Sequence, residues 1–295
     1  MTPSARRQRP RASGPLLAPV PPHRAGVPWL VLPGWGQSAA HWVPTARWAA
    51  GSGVCLWAAD LAGAAAAAAA PRGTVERTTE IVRRLVEEGD VSRARLIVGH
   101  SAGAPLAVLA AALMTGVRAV VLIEPVASHF GLAPRRVKDP SDAVPTAGAA
   151  SDATADPEYE RLRRRHPMAS QSTLRAIAAA LTHLPASAGP QDGSGRPSTL
   201  RIPATAEAAG RALAALRVPV LVVRGQASAL LTPAEAGVLA GAARAGACAT
   251  VPGAGHSPHI DQPRETARTL LDFAAGTTGP AVGDETMVKR ESGHV

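Results

Sequence analysis

Five short apolar runs constrain this chain more than any other feature. They read PWLVLP at 28–33, GVCLWA at 53–58, RLIVGH at 95–100, RAVVLIE at 118–124 and VPVLVVRG at 218–225. They are nearly continuous rather than alternating, so each predicts a strand covered on both faces. A sixth run, ACATVP at 247–252, predicts a last strand. Between the strands the spacing predicts helices over 38–50, 74–88, 102–114, 205–216, 233–245 and 262–275. The segment at 74–88 carries Val75, Val82, Leu85 and Val86 on one face, and AGAPLAVLAAALM at 102–114 has almost no polar face, which predicts a buried helix. Strands alternating with helices predict an α/β fold, a mostly parallel sheet flanked by helices.

The rhythm breaks at 125–204. Roughly 80 residues between two strands is too long for a loop. The pattern predicts a charged helix near 157–166 and a more apolar one near 172–184. We read 126–204 as a helical cap, inserted after the strand that ends at Glu124 and lying over the C-terminal edge of the sheet, where open α/β sheets bind ligands. The remaining organisation is a disordered basic, Pro-rich tail at 1–26, a core at 27–125 and 205–275, and a flexible C-terminal tail at 276–295. AGAAAAAAAP at 62–71 reads as a loop or a fraying helical turn.

Charge and cysteines exclude several classes. Five arginines (Arg6, Arg7, Arg9, Arg11 and Arg24) lie in the first 24 residues with no acid among them. Removing those five from the formal +9 leaves +4, so the basic balance reads as a solvated tail and not a nucleic-acid surface. No aromatics interleave with the basic residues as in a stacking platform. The uncharged stretch 96–117 is long enough to span a membrane, but Gly99, His100, Ser101 and Pro105 interrupt it, so no membrane span is expected. The first thirty residues lack the apolar core of a signal peptide. Cys55 and Cys248 are too few for a disulfide framework; both sit in strand-like stretches, and buried free thiols suit the cytoplasm.

GHSAG at 99–103 follows a predicted buried strand and opens a predicted buried helix. That is the strand–turn–helix setting of a nucleophile elbow, with small neighbours for the sharp turn and Ser101 above the sheet. Pro105 falls in the first helical turn, where no backbone donor is lost. The PGWG turn at 33–36 follows the first strand, so the backbone N–H groups of Trp35 and Ala102 can hold a developing oxyanion. All five tryptophans lie between 29 and 57, and Trp42 is the one expected to pack behind the turn. A serine nucleophile needs a base. GAGHSPH at 253–259 follows the last strand and offers His256, with His259 as its local rival. His100 directly precedes the serine and should point elsewhere. No metal-ligand spacing and no phosphate-binding glycine loop appears, so no metal and no cofactor is expected. The run ERLRRRH at 160–166 reads as a solvated helix face.

On PGWGQSAAHW, GHSAG and PGAGHSPHIDQP, the chain resembles the α/β-hydrolase superfamily over about residues 31–275. It departs from that pattern in three places. Pro33-Gly34 stands where His-Gly is usual. No convincing N-terminal hairpin is seen in 1–27, which leaves the sheet short by two strands. The usual aspartate after VLVVRG is missing, with Ala227, Ser228 and Ala229 at that position. Either the triad is broken or the acid comes from another strand. Some members take it from the strand after the elbow helix, which here ends in Glu124. The resemblance therefore assigns Glu124 as the acid that orients His256. The alternatives for Glu124 are an ion pair with a cap arginine such as Arg135, or exposure at a strand end.

The resemblance implies a serine hydrolase cleaving an ester-like acyl bond through an acyl-enzyme, with a small-molecule acyl substrate. Ser rather than Asp as nucleophile argues against the dehalogenase and epoxide-hydrolase branches. PGWG resembles the HGWG of carboxylesterases that cleave pimeloyl-carrier-protein methyl esters, a four-residue match that leaves the substrate open. An apolar cap with few aromatics suggests a small or aliphatic acyl group. The rival readings are a non-catalytic ligand receptor on the same fold and an acyltransferase; the oligomeric state is open.

Overall fold

The structure, a computed structural model, describes residues 17–22, 25–61, 75–87, 93–132, 156–183 and 206–277. Among these, seven strands form one sheet: β1 (Leu17–Pro19), β2 (Val27–Leu32), β3 (Val54–Ala59), β4 (Leu96–His100), β5 (Ala119–Ile123), β6 (Val220–Gly225) and β7 (Gly246–Val251). Their order is β1-β3-β2-β4-β5-β6-β7. Only β1 runs antiparallel to its neighbour; every other pairing is parallel.

The unbroken apolar runs have a direct structural cause. Successive side chains of a strand point to opposite faces, and here both faces are buried. Leu30, Leu32, Ile97, Val120, Leu122, Val220 and Val222 join one core. It is closed by α2 (Val75–Glu87), α3 (Ala104–Leu113), α6 (Ala206–Ala215) and α7 (Pro233–Ala242). Trp29, Val31, Val98, Val121, Ile123, Leu221 and Val223 face the other core, closed by α1 (Val43–Ala49) and the terminal helix α9 (Pro263–Thr277). Ala110 of α3 is buried against the sheet and α3 carries no charge, so the apolar stretch 96–117 divides into β4 and a buried helix. No helix among the described residues is long and apolar enough to cross a membrane.

Two features depart from the sequence reading. The sheet has one more strand than expected. Leu17–Pro19, within the stretch read as a tail, pairs with Trp57–Ala59, and Leu17 and Val20 are buried. Three residues are too short to carry a periodicity, so only pairing reveals this strand. Cys248 was expected to be buried and is exposed, whereas Cys55 is buried. The reason is position: β7 is the sheet edge, and most of its residues keep one flank open.

Within 126–204 the described helices are α4 (Pro157–Arg165) and α5 (Gln171–Leu181), with a single 3₁₀ turn at Ala127–Phe130. Each of the two helices is capped by the residue before it: Asp156 accepts from the Glu158 N–H, and Ser170 from the Thr173 N–H. Leu162, Leu174, Ile177 and Ala178 form a small core with Ile260. Ile260 belongs to a one-turn helix, α8 (Pro258–Asp261), that follows the His256 loop. Arg135, the stretch 62–71 and residues 278–295 lie outside the described residues.

Candidate active site

The strand order reverses between β2 and β4: the chain leaves β2 toward β3 on one side, then returns to place β4 on the other. The C-terminal ends beside such a switch form a crevice. The PGWG turn leaves β2 and Ser101 leaves β4, with Leu32 registered against Gly99. Ser101 opens a 3₁₀ turn, Ser101–Gly103, and α3 follows directly with Pro105 in its first turn. The Ser101 backbone has φ 50°, the left-handed region that side chains disfavour. Such a residue costs on the order of 1–3 kcal/mol and persists only where its surroundings fix it.

Glu124 is the second non-glycine residue with positive φ, at 48°. It comes immediately after β5 and is fully buried. The bend carries its side chain across the end of β6, and both oxygens are satisfied there. Oε1 accepts the Gly225 N–H at 2.6 Å, and Oε2 accepts the Ser228 hydroxyl at 2.5 Å. Oε2 also meets His256 Nδ1 at 3.1 Å. These partners, and not exposure, explain how a carboxylate is tolerated in the core.

His256 reaches Glu124 by a loop that leaves β7 and passes over β6. The crossing is close: a Cβ on Gly225 would lie 2.0 Å from the Gly255 carbonyl oxygen, so only glycine fits. Asp261 pins the loop by accepting the Gly255 N–H at 2.9 Å. The Nε2 atom of His256 then lies 3.0 Å from Ser101 Oγ. A carboxylate only accepts, so Nδ1 carries the proton and Nε2 turns its lone pair to the serine hydroxyl. Ser101, His256 and Glu124 are therefore brought together in hydrogen-bond reach. An imidazole so held can take the hydroxyl proton and, once charged, is stabilised by the carboxylate behind it.

The other two candidate histidines sit beneath this layer. His259 is fully buried, stacks on Trp42 at 4.2 Å between ring centroids, and meets the Gln37 side-chain amide at 3.1 Å through Nε2. It does not replace His256. Trp42 is fully buried, as expected of the residue behind the turn. His100 points away from the substrate face: Nε2 lies 2.8 Å from the His256 carbonyl oxygen and Nδ1 lies 3.0 Å from the Gln37 side-chain amide. Burial, followed by the nearby His256, holds the His100 ring well below its usual pKa and hence neutral. A carbonyl accepts only, so the single proton belongs on Nε2. The Gln37 side chain then offers its NH₂ to both rings, His100 Nδ1 at 3.0 Å and His259 Nε2 at 3.1 Å from one amide atom. His100 thus anchors the backbone of His256 from below.

Trp35 is the second residue of a turn closed by the Gln37 N–H to the Gly34 carbonyl at 3.2 Å. Ala102 follows Ser101 in its 3₁₀ turn. The two backbone amides therefore come from the ends of neighbouring strands. The Trp35 ring is itself exposed.

Sequence reasoning missed the supporting cast. Ser228 stands where the superfamily usually keeps its acid; the position was flagged, but not that a hydroxyl there would serve a carboxylate from the next strand. Gln37 meets the His100 and His259 rings and Asp261 the Gly255 N–H, contacts that only folding creates, and no local signal marks them. Arg165, His166 and Met168 come from the end of α4. A Cβ on Gly36 would lie 3.2 Å from a guanidinium nitrogen of Arg165, and one on Gly255 3.2 Å from Met168 Sδ. His166 is buried, and burial, then Arg165 and His256, depress its pKa to about 4. Among the described residues no group of three His, Cys, Asp or Glu side chains is arranged to hold a metal ion.

A parallel sheet covered on both faces, with a hydroxyl, an imidazole and a carboxylate on separate strand ends, defines the α/β-hydrolase architecture. The sequence profile described as the Alpha/beta hydrolase family matches residues 29–269, and the chain belongs to that family. No curated protein matches it by sequence. Among solved structures it is similar to a bromoperoxidase from Bacillus anthracis, at 16% identity and TM-score 0.58 over 88% of this chain and 94% of that one. It is also similar to an esterase of Mycobacterium tuberculosis (20%, TM-score 0.59, 85% and 86% covered) and to a meta-cleavage product hydrolase from Pseudomonas fluorescens IP01 (15%, TM-score 0.61, 88% and 93%). At these identities the likeness is one of fold.

Proposed function

We propose that the protein is a serine hydrolase that cleaves an ester-like acyl bond through Ser101, His256 and Glu124. One observation carries the reading: His256 lies between the Ser101 hydroxyl at 3.0 Å and the Glu124 carboxylate at 3.1 Å. His256 Nε2 takes the Ser101 proton as Oγ bonds to the acyl carbon. The charge that moves to the carbonyl oxygen is received by the Trp35 and Ala102 backbone N–H groups. The tetrahedral species collapses by breaking the bond to the leaving oxygen, which takes its proton from His256 and departs. Water then gives a proton to His256 and adds to the acyl-enzyme. Collapse releases the acid and returns the proton to Ser101. In this scheme 126–204 is a cap, with the end of α4 roofing the site. The receptor reading drew on the missing acid after β6; a carboxylate hydrogen-bonded to His256 favours the enzyme instead.

The test pairs a fluorophosphonate probe with turnover of p-nitrophenyl acetate. Wild-type protein should be labelled and should release p-nitrophenol, and Ser101→Ala should lose both. Turnover that survives in Ser101→Ala, or folded wild-type protein that neither labels nor turns over, overturns the proposal.

A further inference from the structure

Gln37 touches both halves of the site. Its backbone closes the oxyanion turn, donating its N–H to the Gly34 carbonyl at 3.2 Å. That turn lies flush on the elbow: a Cβ on Gly34 would lie 2.4 Å from His100 Nδ1 and 3.3 Å from Ser101 Cβ. The Gln37 side chain meets the loop that carries the base. One atom of its amide lies 3.0 Å from His100 Nδ1 and 3.1 Å from His259 Nε2, and the other lies 3.5 Å from Ser257 Oγ. His100 in turn reaches the His256 carbonyl oxygen at 2.8 Å through Nε2.

The proton on each ring follows from these contacts. The His256 carbonyl can only accept, so His100 Nε2 donates. Burial keeps both His100 and His259 neutral, which leaves a lone pair on His100 Nδ1. The amide atom facing it must be the nitrogen, and its two hydrogens go one to His100 Nδ1 and one to His259 Nε2. The His259 proton is left on Nδ1, in a ring stacked on Trp42 at 4.2 Å between centroids. A carboxylate at this position accepts only, and would draw a proton onto His100 Nδ1 instead. The arrangement therefore needs a donor at position 37, not merely a polar side chain.

We infer that Gln37 is a positioning residue: its amide holds His100 as the Nε2–H tautomer, and through His100 it keeps the His256 main chain where the imidazole meets Ser101. The inference rests on the proposed hydrolase. Loss of the side chain loosens the base but leaves in place the backbone bond that closes the turn holding the Trp35 amide. The damage therefore falls on kcat and not on substrate binding. A displacement of about 1 Å in a reacting group costs about 10²-fold in rate.

The experiment joins kinetics to a spectroscopic reading of the tautomers, both on the full chain. Steady-state turnover of p-nitrophenyl acetate is compared in wild-type protein and Gln37→Met, which keeps the length and loses the donor; a thermal melt on each sample shows that the fold is kept. Gln37→Met should lower kcat by about 10–100-fold, with KM changed by less than about threefold. Long-range proton–nitrogen correlation of the histidine rings at about pH 8 reads the tautomers, His100 being assigned by its loss in His100→Asn. Wild-type protein should carry the His100 proton on Nε2, and Gln37→Glu should place a proton on Nδ1. The wild-type spectrum decides even where Gln37→Met does not fold. A His100 proton on Nδ1 in the wild type, a His100 ring unaltered in Gln37→Glu, or a Gln37→Met kcat within about threefold of the wild type refutes the inference while leaving the hydrolase standing. Absence of Ser101-dependent turnover in folded wild-type protein overturns the hydrolase and, with it, the role given to Gln37, whatever the tautomers.

Discussion

Replacing Glu124 by Gln separates the role of the acid from its role in packing, because the two side chains have nearly the same shape. The amide oxygen can still accept the Gly225 N–H, which lies 2.6 Å away in the native protein. The new NH₂ then faces the two partners of Oε2, the Ser228 hydroxyl at 2.5 Å and His256 Nδ1 at 3.1 Å. Ser228 can turn its hydroxyl and accept. His256 can accept at Nδ1 only by moving its proton to Nε2, which then points at Ser101 Oγ 3.0 Å away. In that tautomer the ring cannot take the serine proton. By analogy with the loss of a triad acid, kcat should fall by about 10²–10⁴. That corresponds to about 3–5.5 kcal/mol in the barrier. KM should change little, since the interaction matters most once the imidazole is charged. The assay is steady-state hydrolysis of p-nitrophenyl acetate, with a thermal melt on the same sample to show that the fold is kept. A variant that retains a third or more of the wild-type kcat, or that loses activity only through KM, refutes the tautomer argument. Glu124→Ala is the poorer probe, because it strands the buried Gly225 N–H at a cost of about 1–3 kcal/mol and confounds activity with stability.

Ser228→Ala removes one hydrogen bond to a buried carboxylate and should lower unfolding stability by about 1–3 kcal/mol in a urea melt. An unchanged midpoint would mean that Ser228 does not support Glu124. Stability should also fall as pH drops below 6.5. Burial holds His41 neutral to about 3 and His166 to about 4, and keeps His100 and His259 well below their usual range. In the unfolded chain these rings take up protons near 6.5. Between there and about 4 the unfolded state therefore binds more protons, and each ring removes up to about 1.4 kcal/mol of stability per pH unit. Urea midpoints at pH 7, 6 and 5 should decline in order; a flat series would contradict the burial of these rings.

The sheet was legible because its strands are buried on both sides, so β2, β4, β5 and β6 show as unbroken apolar runs. The sharp turn at Ser101 was legible because its strand, turn and helix are contiguous in sequence. His256 was legible by its place after the last strand. Glu124 was reached by elimination and by resemblance. Its partners were not foreseen: the Gly225 amide ends the next strand and the Ser228 hydroxyl follows it, about a hundred positions away in the chain. The run at 160–166 reads as a solvated helix face, and its four arginines are exposed while Leu162 and His166 are buried. Nothing in ERLRRRH distinguishes Arg165 from Arg163; their surroundings do.

Sequence alone determined the alternation of buried strands and helices, since side-chain burial writes its period directly into residue type. Tertiary structure decided which carboxylate meets which imidazole. That choice depends on a glycine at the end of β6, which lets the His256 loop cross to Glu124, and close approach between distant backbones leaves no periodic trace in a chain.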